Sequence, residues 1–224
     1  MEYKQFYDEM NSNLNEIDLK INEKQAKKFL KYTDLLLYWN QKVNLTAICE
    51  IKDIITKHYI DSLIIEKYLK ENSKIIDIGT GAGFPGIPLA IYREDLKITL
   101  VDSLNKRTNF LNIVKEELKL NNICIKNGRA EDIGREKEYR ERFDYAVSRA
   151  VAPLNILVEY LIPFIKVGGR AVCMKGPKVE DEIDSVEHAL ELLNSNILNI
   201  ESVEILQMKR NIILICLFYK NSHT

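Results

Sequence analysis

The chain has 224 residues and a formal net charge of −1. A chain of that length buries roughly 70% of its unfolded surface, so it needs no disulfide or metal staple. The near-neutral charge gives none of the basic footprint typical of nucleic-acid binders, and no apolar run reaches the roughly 18 residues of a membrane span. The chain starts without a charged-then-apolar leader, which points to the cytoplasm. Cys49, Cys124, Cys173 and Cys216 are too far apart for a zinc or redox pair, and read as small buried apolar residues. His58, His188 and His223 are equally scattered and propose no metal site.

Residues 1–72 read as a helical extension packed on the rest of the chain. Ile21, Phe29, Leu30, Leu36 and Trp39 recur at three-to-four spacing and give one apolar face. Lys24, Lys27, Lys28 and Lys31 form a basic cluster that reads as a solvated helix face. After the polar break 40–44, a second helical pattern runs to Ser73. From Lys74 short strands at 74–78, 97–102, 123–127, 145–148 and 170–175 alternate with helical patterns at 84–93, 105–120 and 153–165. This alternation predicts a parallel sheet covered on both faces. A helix at 178–194 follows. Strands at 197–206 and 211–219 are separated by too few residues to be anything but antiparallel. The expected fold is therefore α/β and Rossmann-like: a mostly parallel seven-stranded sheet with a reversed C-terminal strand. The expected division is one such α/β domain over 73–219 and a loose tail over 220–224.

The segment from Lys74 to Gly86, KIIDIGTGAGFPG, is a strand, a glycine loop and a helix start. Glycines let the backbone turn sharply and approach a ligand closely, and the helix that follows points its free N–H groups at the same spot. Gly81 to Gly86 fits the dinucleotide fingerprint, with Asp102 about 20 residues on. Read from Asp77, the same segment fits the first motif of S-adenosylmethionine enzymes. Three features favour the second reading. Asp77, a carboxylate among isoleucines, is costly to bury without a partner, and an ammonium group on the ligand supplies one. Phe84-Pro85 puts bulk where dinucleotide phosphates need close approach. The reversed final strand pair agrees.

Asp102 ends the second strand, facing the ligand crevice, where it can accept from ribose hydroxyls or else cap the next helix. Arg129-Ala130-Glu131-Asp132 follows the third strand, at the place for an adenine or as a polar turn. Ser148-Arg149-Ala150 closes the fourth. Arg149 cannot act as a base; it can hold a phosphate, a base edge or a carboxylate, or pair with a structural acid. Lys175-Gly176-Pro177 closes the fifth strand, and Lys175 is a candidate substrate contact. Lys106 and Arg107 read as surface residues, and His58 as packed or capping. The chain lacks an Asn- or Asp-Pro-Pro-aromatic motif and a Pro-Cys dipeptide, which argues against attack on an exocyclic amine or on pyrimidine carbon 5.

The run Ile76 to Ala90, with Val101-Asp102-Ser103, Gly128-Arg129-Ala130-Glu131, Ser148-Arg149-Ala150 and Lys175-Gly176, resembles the RsmG (GidB) family of ribosomal RNA methyltransferases. Trp39-Asn40, Asn44-Leu45-Thr46, His58 and Asp61-Ser62-Leu63 look like that family's N-terminal region. The resemblance implies methyl transfer from S-adenosyl-L-methionine to N7 of one guanine, position 527 of 16S rRNA. It implies cofactor contacts at residues matching Gly79, Phe84, Ala130, Glu131 and Arg149. To these the residues themselves add Asp77, Gly81, Gly83 and Asp102. The expected partner is 16S rRNA, as the small ribosomal subunit or its assembly intermediate, with the protein acting as a monomer without metal. Guanine N7 carries a free lone pair, so no general base is expected; Arg149 and Lys175 would position the substrate. The rival readings are a methyltransferase acting on a small molecule or protein, and an NAD-dependent oxidoreductase.

Overall fold

The computed structural model describes residues 1–149, 151–176, 180–183, 185–204 and 212–221. Helix α1 spans Tyr3–Leu14, α2 Glu23–Val43 and the short α3 Ile51–Ile54. Asn22 starts α2 with a capping box: its side chain accepts from Gln25 N–H while Gln25 returns a bond to Asn22 N–H. Asn44 ends it in the left-handed conformation. A π-helical turn over Ile55–Ile60 leads into α4 (Asp61–Leu63).

The sheet begins with β1 (Lys74–Ile78), β2 (Lys97–Asp102), β3 (Ile123–Asn127), β4 (Phe143–Arg149) and β5 (Ile165–Lys175), all parallel. Helices α5 (Gly86–Tyr92), α6 (Asn105–Leu118), α7 (Ala130–Ile133) and α8 (Leu154–Leu161) cross between them. Beyond β5 lie α9 (Glu180–Ile183), α10 (Glu187–Leu192), β6 (Ser195–Glu204) and β7 (Ile212–Lys220). The strand order is β3-β2-β1-β4-β5-β7-β6, with β7 antiparallel to both its neighbours.

Strand alternation divides the core in two. Ile75, Ile98, Leu100, Val147 and Val172 face the N-terminal helices, α5 and α6. Ile76, Ile78, Val101, Ala146 and Ala171 face α8 and α10. Phe6, Met10, Phe29, Tyr32 and Leu36 of α1 and α2 belong to the first of these clusters, so the extension completes the core of the sheet. Asp77 lies on central strand β1, between Leu100 and Val147, on that same face.

Several expectations change. The helix at 178–194 is split into α9 and α10, because Ser185 sends both its N–H and its hydroxyl to Glu182 O, at 3.2 and 2.6 Å, and closes a turn. The tail is not loose where it is described: Lys220 pairs with Ser195 in β6–β7, and Asn221 N–H donates to Asn194 O at 3.0 Å. Cys173 is buried, but Cys49 and Cys124 are exposed; Cys124 sits on edge strand β3. Ala150, Pro177, Lys178, the turn at 207–210 and His223, together with the side chain of Cys216, lie outside the described residues.

Candidate functional site

The carboxyl ends of β1, β2, β3 and β4 open into a cleft of about 550 Å³. Its floor is the loop after β1. Gly79 and Thr80 N–H both donate to Val101 O, at 2.9 and 3.0 Å, and Gly81 N–H donates to Asp102 Oδ2 at 2.9 Å. Tyr32 of α2 reaches under this loop, and its buried hydroxyl donates to Ala82 O at 2.6 Å. Gly81 has φ +61°, and a Cβ there would meet only Gly79 O at 4.0 Å, so the position faces open cleft. Gly83 has φ +109°, and a Cβ there would lie 2.4 Å from Ile87 Cγ1 and 3.0 Å from the Tyr32 hydroxyl. Gly83 therefore lets α5 and α2 close on the loop and does not line the cleft, contrary to expectation.

Asp77 also lies beneath the cleft and not in its wall. It is fully buried. Its Oδ2 accepts from Thr80 Oγ1 at 2.6 Å and Gly86 N–H at 2.8 Å, tying the start of the glycine loop to the start of α5. Its Oδ1 is buried without a hydrogen-bond partner among the described residues. Burial raises its pKa to about 7, against the lowering effects of Thr80, Gly86 and Arg149. Asp77 anchors the loop through Oδ2 and keeps its second carboxylate oxygen without a hydrogen-bond partner among the described residues.

Asp102 ends β2 with three of its lone-pair positions taken. Oδ1 accepts from Leu104 N–H at 2.9 Å, starting α6, and Oδ2 accepts from Gly81 N–H and from Arg107 Nη1 at 3.3 Å. One acceptor position remains for a ligand hydroxyl, not two. Arg107, read from sequence as a surface residue, lines the cleft. Across from it stand Gly128, Arg129, Ala130 and Glu131 at the start of α7, with Tyr160 of α8.

The fourth wall is aromatic and cationic. Arg149 Nη1 donates to Lys57 O at 2.9 Å, Nη2 lies 2.9 Å from His58 Nδ1, and the guanidinium carbon sits 5.0 Å from the Phe84 ring centre. Arginine only donates, so His58 Nδ1 accepts and its proton resides on Nε2, which donates to Thr46 Oγ1 at 2.8 Å. Burial and the Arg149 charge lower the His58 pKa to about 3, so the ring is neutral. It stacks on Phe84 with centroids 4.2 Å apart and planes at 16°. Asp61 Oδ2 stands 3.7 Å from Arg149 Nη1, and burial lifts its pKa to about 7 against the lowering effect of Arg149.

Of the residues singled out by sequence, Gly79, Gly81, Phe84, Asp102, Ala130, Glu131 and Arg149 converge on the cleft. Lys175 does not. Its ammonium donates to Ala152 O at 2.8 Å and pairs with Glu182 Oε2 at 2.9 Å, and Glu182 also accepts from Leu154 N–H. Lys175 holds the loop after β4 against α9 and does not line the cleft. Tyr32, Thr46, Arg107 and Tyr160 were missed. Tyr32 falls three residues after Phe29 on the buried face of α2, so helical spacing carried a signal for it; the others carry none that a single sequence exposes. Among the described residues, no group of three His, Cys, Asp or Glu side chains could hold a metal ion.

The residues present fit a nucleoside bearing an amino-acid tail. A cleft of this volume is of ligand size, Gly81 leaves a cradle that a side chain would fill, and Asp102 keeps one acceptor for a hydroxyl. The parallel sheet with its reversed β7 and the glycine-floored cleft at its carboxyl edge define a Rossmann-like α/β fold. The crystal structure of M. jannaschii TYW2 in complex with AdoMet superposes with a TM-score of 0.54 over 71% of this chain and 76% of that one, at 19% identity, a likeness of fold. A sequence model of GidB, rRNA small subunit methyltransferase G, matches residues 25–213, and the chain belongs to this family. The ribosomal RNA small subunit methyltransferase G of Alkaliphilus oremlandii (strain OhILAs) is 51% identical over 191 residues, 84% of this chain and 80% of that protein. The protein of the same description from Clostridium botulinum (strain Loch Maree / Type A3) is 49% identical over 215 residues, 94% and 90% of the two chains. The family decides between the two readings of the glycine loop, against the nicotinamide cofactor.

Proposed function

We propose that the protein transfers a methyl group from S-adenosyl-L-methionine to N7 of one guanine, position 527, of 16S rRNA in the small ribosomal subunit or its assembly intermediate. The observation that carries this reading is the match to the rRNA small subunit methyltransferase G family over residues 25–213. The choice of N7 rests on what that family resemblance implies, and the site is consistent with it. Two of the titratable groups that line the cleft are engaged within the protein: His58 accepts from Arg149, and Asp102 holds Gly81, Leu104 and Arg107. A lone pair such as that on N7 needs no base to free it.

When bound, S-adenosyl-L-methionine supplies an electrophilic methyl group on a sulfonium. The residues of this chain bind and orient. Gly79, Thr80 and Gly81 give a floor fixed by Val101 and Asp102. Ala130 and Glu131 face it from the start of α7, and Arg149 and Phe84 close the wall toward the N-terminal helices. Fixed near-attack geometry of this kind lowers a barrier by on the order of 7–11 kcal/mol. A base buried in folded RNA must leave its stack to enter such a cleft, at about a few kcal/mol. We assign Arg149 to positioning, through the donors it does not spend on Lys57 and His58. The cleft is built from one chain, which favours a working monomer, and an rRNA substrate places the protein in the cytoplasm. No helix among the described residues is long and apolar enough to cross a membrane.

The test uses labelled S-adenosyl-L-methionine, offered with the purified protein to small subunits and to free 16S rRNA from cells lacking the gene, followed by chemical cleavage at 7-methylguanosine. Label in 16S rRNA with cleavage at one guanine is the expected result. Transfer to neither RNA, with cofactor binding intact, would redirect the search to a small-molecule or protein acceptor.

A further inference from the structure

We propose that the C-terminal turn of α2 is a platform for single-stranded RNA, on which Tyr38 and Trp39 stack bases and Lys42 meets a phosphate next to the nucleotide held in the cleft. This inference rests on the rRNA substrate proposed above. Tyr38 is 54% exposed and packs edge-on against Trp39, which is half-buried against the core and shows only part of its ring, with ring centres 5.9 Å apart. Lys42 Nζ lies 4.1 Å from the Tyr38 ring centre and 5.0 Å from that of Trp39, and donates to the Tyr38 hydroxyl at 2.7 Å. Lys42 has no carboxylate partner among the described residues. Its ammonium rests on the rings because nothing charged is there to receive it.

The platform adjoins the cleft. Asn40, on the same turn, accepts from Leu45 and Thr46 N–H at 2.6 and 2.9 Å, and donates to Thr46 O at 2.9 Å. Leu45 and Thr46 line the cleft. Three residues separate Lys42 from Leu45, a span of at most about 10 Å. The aromatic pair therefore stands on the helix end whose capping loop is cleft wall.

Charge distribution separates this turn from the other basic stretch of α2. There Lys24 and Lys28 share Glu94 at 2.9 and 3.1 Å, and Lys31 pairs with Glu117 at 2.5 Å. Those lysines are held by carboxylates. Lys42 and the cleft-lining Arg129 have no ion-pair partner among the described residues, and the acidic Glu131 shares the cleft wall. An exposed cation–π contact is weak. A phosphate gives Lys42 a full counter-charge and frees the ring faces for bases, whose stacking on aromatic side chains tolerates any sequence.

Trp39 is the chain's single tryptophan, so its emission reports on the platform directly. The full-length protein is titrated with a short single-stranded RNA while Trp39 fluorescence is followed over a range of salt. Saturable quenching is expected. Tyr38→Ala should weaken binding about tenfold and Tyr38→Phe should not. Lys42→Ala should flatten the log–log salt dependence by about 0.7, and Lys28→Ala should change nothing. Cofactor affinity should be the same in all four variants, which separates this role from a structural one. Absence of quenching, or equal RNA affinity in Tyr38→Ala and Lys42→Ala, in a protein that methylates 16S rRNA would overturn the platform and leave the function standing. Variants that lose activity on whole subunits yet bind the short RNA normally would assign the turn to a protein contact and overturn it too. Failure of the wild-type protein to methylate rRNA would remove both readings together.

Discussion

Nη2 of Arg149 lies 2.9 Å from Nδ1 of His58, and this contact fixes the proton on the far side of the imidazole. The ring then spends that proton on Thr46 and its face on Phe84. A histidine in a methyl-transfer cleft invites a reading as a base, yet its acceptor nitrogen is occupied by a cation. Its role is to hold Arg149. We expect His58→Phe, which keeps a ring on Phe84 but removes the acceptor, to fold and to bind cofactor roughly tenfold more weakly, the equivalent of about 1.4 kcal/mol lost at a charged hydrogen bond. His58→Gln, which restores an acceptor, should recover part of the loss. Calorimetric titration with S-adenosyl-L-methionine separates the two; equal affinity in His58→Phe and wild type would show that Arg149 holds its place unaided.

The same pair has a pH signature. His58 in the folded protein titrates at about 3, below its ordinary 6.5, because burial and Arg149 disfavour the charged ring. Its contribution to stability is then fully present above about pH 6.5 and disappears as pH falls through about 3. Proton NMR of the His58 ring should show no titration between about pH 8 and about pH 5. A midpoint near the ordinary histidine value would refute the assigned tautomer.

Asp61 runs the other way. Burial raises its folded pKa to about 7, so stability from the neutral carboxyl is present on the acid side and lost as pH climbs through about 7. Asp61→Asn should flatten the decline in melting temperature between about pH 4 and about pH 7, the interval between the ordinary and the folded pKa of this carboxyl. An unchanged decline would assign it to Asp77, whose buried carboxyl is also raised to about 7.

Asp77 anchors two donors, Thr80 Oγ1 and Gly86 N–H. Asp77→Ala orphans both in a dry site and should cost about 2–4 kcal/mol of unfolding free energy, from roughly 1–3 for each buried unpaired group less some relaxation. Asp77→Asn retains one accepting oxygen and should cost less than half as much. Urea denaturation measures both, and cofactor titration shows how far the loop depends on its anchor. An Asp77→Ala protein as stable as wild type, with normal cofactor affinity, would sink the anchoring role.

Two neighbouring glycines should fail differently. Gly81→Ala introduces a methyl that touches nothing in the protein, at a backbone cost of about 1–2 kcal/mol. It should stay folded and lose cofactor binding. Gly83→Ala drives its Cβ to 2.4 Å from Ile87 Cγ1 and should lower stability by more. Melting temperature and cofactor affinity, measured side by side, distinguish a lining position from a packing position.

The fold was legible because hydrophobic spacing changes character at Lys74, from helical to short apolar runs with glycines between. The reversal at the end was legible because four residues cannot carry a crossover. Within the site, residues at the carboxyl ends of strands could be placed from their position alone, as Asp102 and Arg149 were. What a strand-end residue does with its side chain could not. Lys175 and Arg149 close adjacent strands, but Lys175 finds Glu182 on α9 while Arg149 finds His58. Gly81 and Gly83 are two apart in one loop, but only one of them meets α2. These outcomes depend on contacts between segments far apart in sequence. The approach of Thr46 to His58 at the cleft follows the left-handed turn at Asn44, which no periodicity announces.

The hydroxyl that Tyr32 sends to Ala82 makes the first long helix a prop for the cofactor floor. A fragment beginning at Lys74 would keep every glycine of the motif and every strand, yet lose the support beneath Ala82 and the aromatic packing around Phe84. The amino-terminal third of this chain is therefore not a detachable appendage whose removal would yield a minimal enzyme; trimming it away would leave the sequence of a cofactor site without its shape.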